Sequence, residues 1–133
     1  MLASIIITNY NYGKYLARCL RSCLNQTLSM KDYEIIIVDD KSNDNTDIII
    51  KPFLSNENIK FIKNKNNIGC AASANKGFKV ARGKFVVRVD ADDYVNENFL
   101  NFLVYYLKEY PNFFGVSCDY FLVNSKEKPL SKE

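Results

Sequence analysis

Phe85-Val86-Val87-Arg88-Val89-Asp90-Ala91-Asp92-Asp93 decides how this chain reads. An apolar, β-branched run ends in three carboxylates within four residues. The run predicts a buried strand. Its acidic end marks where that strand leaves a sheet and meets a ligand. In open α/β sheets, ligands bind outside the carboxyl ends of the strands. Three like charges side by side repel, and more so where water is scarce. A hard divalent cation, Mg2+ or Mn2+, relieves that repulsion through oxygen ligands and commonly bridges to substrate phosphates. Taken alone, the stretch also fits a solvated acidic turn, or a helix start that favours negative charge.

The rest of the chain narrows the choice. Its 133 residues suffice for one domain with a real core. With 47% hydrophobic and 25% charged residues, general disorder is excluded. A net charge of +3 is too small to argue for nucleic acid as a partner. No apolar run approaches the roughly 18 residues a membrane-spanning helix needs. Met1-Leu2-Ala3-Ser4 lacks the basic start of a secretion signal, so the reading is cytosolic. Cys19, Cys23, Cys70 and Cys118 have no histidine to join them in a zinc site. They are expected to be small core residues in a reducing compartment.

Outward from the acidic strand, strands and helices alternate. Ser4-Ile5-Ile6-Ile7-Thr8 predicts a buried strand, ending in the polar, aromatic turn Asn9-Tyr10-Asn11-Tyr12-Gly13. Tyr15, Leu16, Cys19, Leu20, Cys23 and Leu24 then recur at helical spacing, with Lys14, Arg18 and Arg21 opposite. Tyr33-Glu34-Ile35-Ile36-Ile37-Val38 is a second buried strand that also ends in acid, Asp39-Asp40. Asp44 suits the cap of a short helix over 45–54, which Pro52 bends or shortens. Ile59-Lys60-Phe61-Ile62-Lys63 alternates as a third strand. Residues 68–81 predict a helix with a small-residue face that can lie close to a sheet or a ligand. Arg82-Gly83 stops it. After the acidic strand, Phe99, Leu100, Leu103, Tyr106, Leu107 and Tyr110 line one face of a helix over 96–110, and Pro111 ends it. A last edge strand is expected over 115–123, and a charged, frayed tail over 124–133. Such alternation predicts an α/β fold, a Rossmann-like, mostly parallel sheet with helices on both faces.

The usual backbone cradles for phosphate are missing. Thr8-Asn9-Tyr10-Asn11-Tyr12-Gly13 carries one glycine, not the three of a dinucleotide fingerprint, and no Gly-Lys-Ser/Thr ending exists. A carboxylate-held metal remains as the grip on a diphosphate. Tyr10 offers a flat face to a base, and Asp39-Asp40 offers acceptors. A receiver-type phosphoryl-transfer domain also gathers acids at strand ends, but it wants a lysine near the last strand, and none precedes the tail. A non-catalytic domain that keeps the fold and has lost donor binding is the other alternative.

Five stretches, in order and spacing, carry a resemblance: Ser4-Ile5-Ile6-Ile7-Thr8-Asn9-Tyr10-Asn11; Ile37 through Asp39-Asp40-Lys41-Ser42 to Thr46; Asn67-Ile68-Gly69 with Ala74-Asn75-Lys76-Gly77; Ala81-Arg82-Gly83-Lys84-Phe85; and Asp90-Ala91-Asp92-Asp93. Residues 4 to about 123 thereby resemble the N-terminal, nucleotide-sugar-binding part of a family 2 glycosyltransferase with the GT-A fold. The resemblance implies a nucleotide-diphosphate sugar donor, with a UDP-sugar favoured, and inverting transfer to a glycan or lipid-linked acceptor in polysaccharide synthesis. It also implies a cytoplasmic protein that can work at the inner face of the membrane. Thr8 and Tyr10 would line the base pocket, with Asn9 between them. Asp40 would hydrogen-bond the base, with Asp39 beside it. Gly69 and Asn75 would flank the diphosphate and ribose. Asp90, Ala91, Asp92 and Asp93 match the Asp-x-Asp region; Asp92 is favoured as the metal ligand and Asp90 as the ribose or metal-water partner, the assignment among the three acids staying open. Asn9 departs from the family pattern, where proline or another small residue is common. The family's catalytic base lies in a later half and is expected beyond residue 133; Asp119 is read as structural. The expected domain is 1–123, with 124–133 as a flexible tail.

Overall fold

The computed structural model describes residues 1–124 and 126–130. Four strands form one parallel sheet: β1 (Ala3–Asn9), β2 (Tyr33–Asp39), β3 (Ile59–Lys63) and β4 (Phe85–Asp90), in the order β3-β2-β1-β4. Among the described residues four α-helices connect and follow them: α1 (Gly13–Leu24), α2 (Thr46–Ile50), α3 (Cys70–Val80) and α4 (Phe99–Glu109). Every residue of β1 and β2 is buried. That explains the unbroken runs Ile5-Ile6-Ile7 and Ile35-Ile36-Ile37-Val38, since a central parallel strand is covered on both faces.

Period-two alternation assigns the faces. Ile5, Ile7, Ile35, Ile37 and Val89 pack with Leu16, Cys19, Leu20 and Cys23 of α1, Ile50 of α2, and Leu100 and Val104 of α4. Ile6, Ile36 and Val38 look the other way, with Ile62, Val80 and Ala81 against them. Strand order and helix side agree. The crossovers through α1 and α2 step outward from β1 on one face, and the one through α3 steps back past β1 on the other, as right-handed connections require. The small-residue face predicted for α3 is present. Ser73, Ala74 and Gly77 are buried, and a Cβ on Gly77 would sit 2.5 Å from Cγ2 of Ile6.

The base of the sheet is held by a carboxylate network with no signature in the sequence. Glu34, buried on β2, accepts from the Ser4 hydroxyl (2.8 Å), the Arg82 amide (2.7 Å) and the Arg82 guanidinium (3.0 and 2.9 Å). The Gly83 amide in turn donates to Ser4 Oγ at 2.9 Å. Thus α3 ends where Arg82 is clamped.

Several expectations change. The helix expected over 45–54 is the five-residue α2 followed by a 3-10 turn, Lys51–Phe53, because Pro52 has no amide to continue the α-helical ladder. β4 is not buried on both faces: Val86 is 44% exposed and Arg88 is also exposed, since α3 covers β1 and β2 instead. The strand expected over 115–123 does not form. Its aromatic residues Tyr120 and Phe121 are 78% and 83% exposed. β propensity expresses packing against neighbours, and this segment has no sheet to pack on. Val123 instead bridges Pro129 across a turn in which the Asn124 side chain accepts from the amides of Lys126 and Lys128. Of the expected tail, 125 and 131–133 lie outside the described residues. Cys19 and Cys23 are buried as expected, whereas Cys70 and Cys118 are exposed; all four are free thiols.

Two outcomes follow from these contacts. A Cβ on Gly83 would meet the Ala3 carbonyl carbon at 2.4 Å, on the backbone of the central strand. Gly83→Ala is therefore expected to lower stability by about 1–3 kcal/mol, read as a lower urea midpoint with unchanged slope. Burial pushes the Glu34 carboxyl upward, but the Arg82 amide and guanidinium and the Ser4 hydroxyl outweigh it and hold it below its ordinary 4.5. Its contribution is therefore complete above pH 4.5 and is lost as pH falls through the lower folded value. Glu34→Gln should cost about 1–3 kcal/mol at pH 7 and flatten the acid limb of a stability-versus-pH curve.

Candidate functional site

The carboxyl edge of the sheet gathers the loops that the sequence singles out. β1 lies between β2 and β4, so Asn9 pairs in register with Asp39 and Thr8 with Asp90. Successive strands run outward to β3, then the chain crosses to β4 on the far side of β1. That reversal is a topological switch point, where such sheets open a crevice. Thr8, Asn9, Tyr10, Asp39, Asp40, Asp90, Ala91, Asp92 and Asp93 all belong to this edge. Tyr10 and the acidic loop thus lie on neighbouring strand ends.

Asp39 serves the α1 and α2 face. It is fully buried, and its carboxylate accepts from Asn9 Nδ2 (2.8 Å), the Ser42 amide (3.1 Å) and the Ser42 hydroxyl. Asn9 Nδ2 also reaches Ser42 Oγ (3.1 Å) and Thr46 Oγ1 (3.0 Å). Asn9 is therefore the last residue of β1, not a loose loop residue, and its amide is committed to the β2 loop. Around it the two loops are stitched further. The Asn11 amide donates to Ser42 Oγ, the Asn43 amide to Asn11 Oδ1, and the Gly13 amide to Asp44 Oδ2. Asn11 has φ 59°, a left-handed conformation that asparagine tolerates. Asp44 Oδ1 accepts from the Thr46 amide at 3.0 Å, but α2 starts one residue later than expected, so its cap position falls to Asn45, which makes no side-chain cap bond. Tyr10 rises from this stitched platform and is 45% exposed.

Asp40 serves the α3 face. It is 3% exposed, and its carboxylate accepts from Asn64 Nδ2 (2.8 Å), the Ile68 amide (2.9 Å) and the Gly69 amide (2.8 Å). Burial raises this carboxyl, yet those donors prevail and hold it below its ordinary value. Asp40 thereby fixes Gly69, which has φ 87° and opens α3. Behind it Asn64 links Ser73 Oγ and the Lys76 ammonium. Thr8 Oγ1 lies 3.4 Å from Cys70 Sγ, joining β1 to the same helix start. Asn75 stands apart from these groups. It is exposed, five residues into α3, and so on the order of 7–8 Å along the helix from its first residue.

The three acids of the β4 loop differ in their surroundings. Asp90 is ion-paired with Arg88 at 2.8 Å, half exposed. The carboxylates of Asp92 and Asp93 have no hydrogen-bond or ion-pair partner among the described residues. Asp93 is pushed above the ordinary carboxylate value by burial first, then by the charges of Asp92 and Asp90. Among the described residues no group of three His, Cys, Asp or Glu side chains is placed to hold a metal ion. Proteins commonly hold Mg2+ and Mn2+ through only one or two carboxylates and leave the other positions to water and phosphate oxygens, and the unpaired Asp92 and Asp93 carboxylates are oxygen donors of that kind. The donor set therefore fits such an ion.

Residues to which no site role was attached from the sequence carry much of this geometry: Ser42, Thr46, Asn64, Ser73 and Arg18. Their only local signal is polarity at the ends of elements. Arg18, on the helix face read as solvent-facing, donates from Nη2 to the Asp92 carbonyl at 2.7 Å.

Comparison with known proteins bears on the whole edge. The family described as "Glycosyl transferase family 2" matches residues 4–133. Glycosyltransferase GlyG of Streptococcus pneumoniae is 38% identical over 109 residues, 81% of this chain and 36% of that protein. The poly(ribitol-phosphate) beta-N-acetylglucosaminyltransferase TarP of Staphylococcus aureus is 38% identical over 108 residues, 80% of this chain and 33% of that one. This chain thus spans about a third of the length of these relatives. Among solved structures, S. aureus TarS in complex with UDP-GlcNAc superposes with a TM-score of 0.78 at 32% identity, covering 84% of this chain and 32% of TarS. A mannosyltransferase of Pyrobaculum calidifontis, in complex with GDP-Man and Mn2+, shares the fold at a TM-score of 0.74 and 22% identity, covering 79% of this chain and 32% of that one. With a parallel sheet of the same form and a family match over nearly its whole length, the chain belongs to glycosyl transferase family 2.

Proposed function

We propose that this chain binds the donor of a glycosyltransferase: a nucleoside-diphosphate sugar, a UDP-sugar by preference, together with Mg2+ or Mn2+. The observation that carries this reading is the adjacency of Tyr10 and the unpaired Asp92 and Asp93 carboxylates at one strand edge. Family membership and the UDP-GlcNAc complex of the 32% identical TarS support it. Tyr10 stacks on the base and Thr8 lines the pocket beside it. Asp40 turns the one acceptor position left on its Oδ2 to the base, while Asp39 and Asn9 brace the platform underneath. Gly69 and Asn75 flank the diphosphate and ribose. Asp92 ligates the cation, with Asp93 next to it, and Asp90 holds the ribose or a metal-bound water; Ala91 lets the main chain run close to the donor.

The cation, when bound, neutralises charge that builds on the leaving diphosphate. The chain's own task is to fix the donor, keep the base against Tyr10 and present the sugar. Inverting transfer to a hydroxyl of a glycan or lipid-linked acceptor needs a general base. We assign that base to no residue of this chain. Donor binding is assigned to residues 1–123, with 124–133 as a tail. Among the described residues no helix is long and apolar enough to cross a membrane. We assign the work to the cytoplasmic side, at the membrane's inner face, in surface polysaccharide synthesis.

Calorimetry with UDP, GDP and CDP sugars, with Mn2+ or with EDTA, tests this. Mn2+-dependent binding of one nucleotide class is expected. Asp92→Ala should abolish the Mn2+-dependent part. Tyr10→Ala should weaken binding about tenfold whether or not Mn2+ is present. No binding of any nucleotide sugar would overturn the proposal in favour of a domain that keeps only the fold.

A further inference from the structure

Arg18 has surroundings that donor binding alone leaves unexplained. It lies on α1, the helix after the Tyr10 loop, yet its side chain reaches across the sheet edge to the loop after β4. Nη2 donates to the Asp92 main-chain oxygen at 2.7 Å. The guanidinium lies over the Tyr94 ring, 4.5 Å from its centroid, and 5.7 Å from that of Tyr15 on its own helix. Nη1 pairs with Glu127 at 2.9 Å, a largely exposed contact that contributes little by itself. One planar side chain is thus held between two rings and a carbonyl of the acidic loop. Next door, the Cys19 thiol lies 3.5 Å from the Asp90 carbonyl. Helix α1 therefore grips the acidic loop through its backbone and leaves the Asp92 and Asp93 carboxylates unengaged.

We propose that Arg18 is a positioning residue. It fixes the Asp92-Asp93-Tyr94 main chain in the shape that aims two carboxylates at a cation, and it supplies a counter-charge that keeps the loop from splaying before the cation arrives. Lysine cannot reproduce this, because a compact ammonium lacks the planar fork that stacks and donates at once. The inference rests on the donor-binding reading above, and it adds to that reading a residue outside the donor-contacting set.

The test uses the whole chain and its Arg18→Gln and Arg18→Lys variants. UDP binding is measured with Mn2+ and with EDTA, alongside amide hydrogen exchange. Arg18→Gln is expected to weaken Mn2+-dependent UDP binding about tenfold while binding in EDTA stays within about twofold. Arg18→Lys is expected to recover only part of the loss. Without ligand, the amide of Asp93, which bonds the Asp90 carbonyl at 3.0 Å, should exchange faster in Arg18→Gln, while β1 and β2 amides keep their protection. Equal losses with and without Mn2+, loss of protection throughout β1 and β2, or an unchanged Mn2+-UDP affinity would each overturn the inference. A wild-type chain that binds no Mn2+-UDP sinks the functional reading and this inference with it. An Arg18→Gln chain that binds as tightly as wild type sinks this inference alone.

Discussion

Two neighbouring carboxylates hold the working edge of this molecule together. Asp39 and Asp40 are adjacent in sequence, so an extended chain sends them to opposite faces of the sheet. Asp39 draws in Asn9, Ser42 and, through Asn9, Thr46 on the α1 and α2 side. Asp40 draws in Asn64 and the amides of Ile68 and Gly69 on the α3 side. Each is buried, and a buried carboxylate without donors would be expensive. The requirement to satisfy both charges therefore orders three loops at once. Tyr10, Gly69 and the start of α3 inherit their positions from it.

The second acidic cluster, at the end of β4, is built on the opposite plan. Its main chain is gripped, by Arg18 at the Asp92 carbonyl and by Cys19 near the Asp90 carbonyl, while two of its three carboxylates are left unpaired. Satisfied acids make a scaffold; unsatisfied ones on a fixed backbone stay free to meet a ligand. The contrast separates groups that look alike in the sequence. Asp39, Asp40 and Asp92 each fall at the end of an apolar run, yet of the three only Asp92 carries a carboxylate with no partner among the described residues.

Much of this was legible beforehand. The isoleucine runs announced central strands because only a strand covered on both faces tolerates such unbroken apolarity. The glycine and alanine pattern over α3 announced close approach to the sheet, and Gly77 against Ile6 bears that out. The aromatic run over 115–123 misled, because apolar β-formers state a preference that needs a neighbouring strand to act on.

By itself, the order of residues determined the alternation of strands and helices, the parallel sheet, and the fact that Tyr10 and two acid clusters fall at strand ends, since these depend on periodicity and local turns. Only the tertiary structure decided what each acid does. Asn9 meets Asp39 across 30 residues, Asp40 meets Gly69 across 29, and Arg18 meets Asp92 across 74. No local pattern encodes such pairings. They arise when parallel strands bring distant loops to one edge, and there the cost of an unsatisfied buried charge selects which side chains close on one another and which stay open.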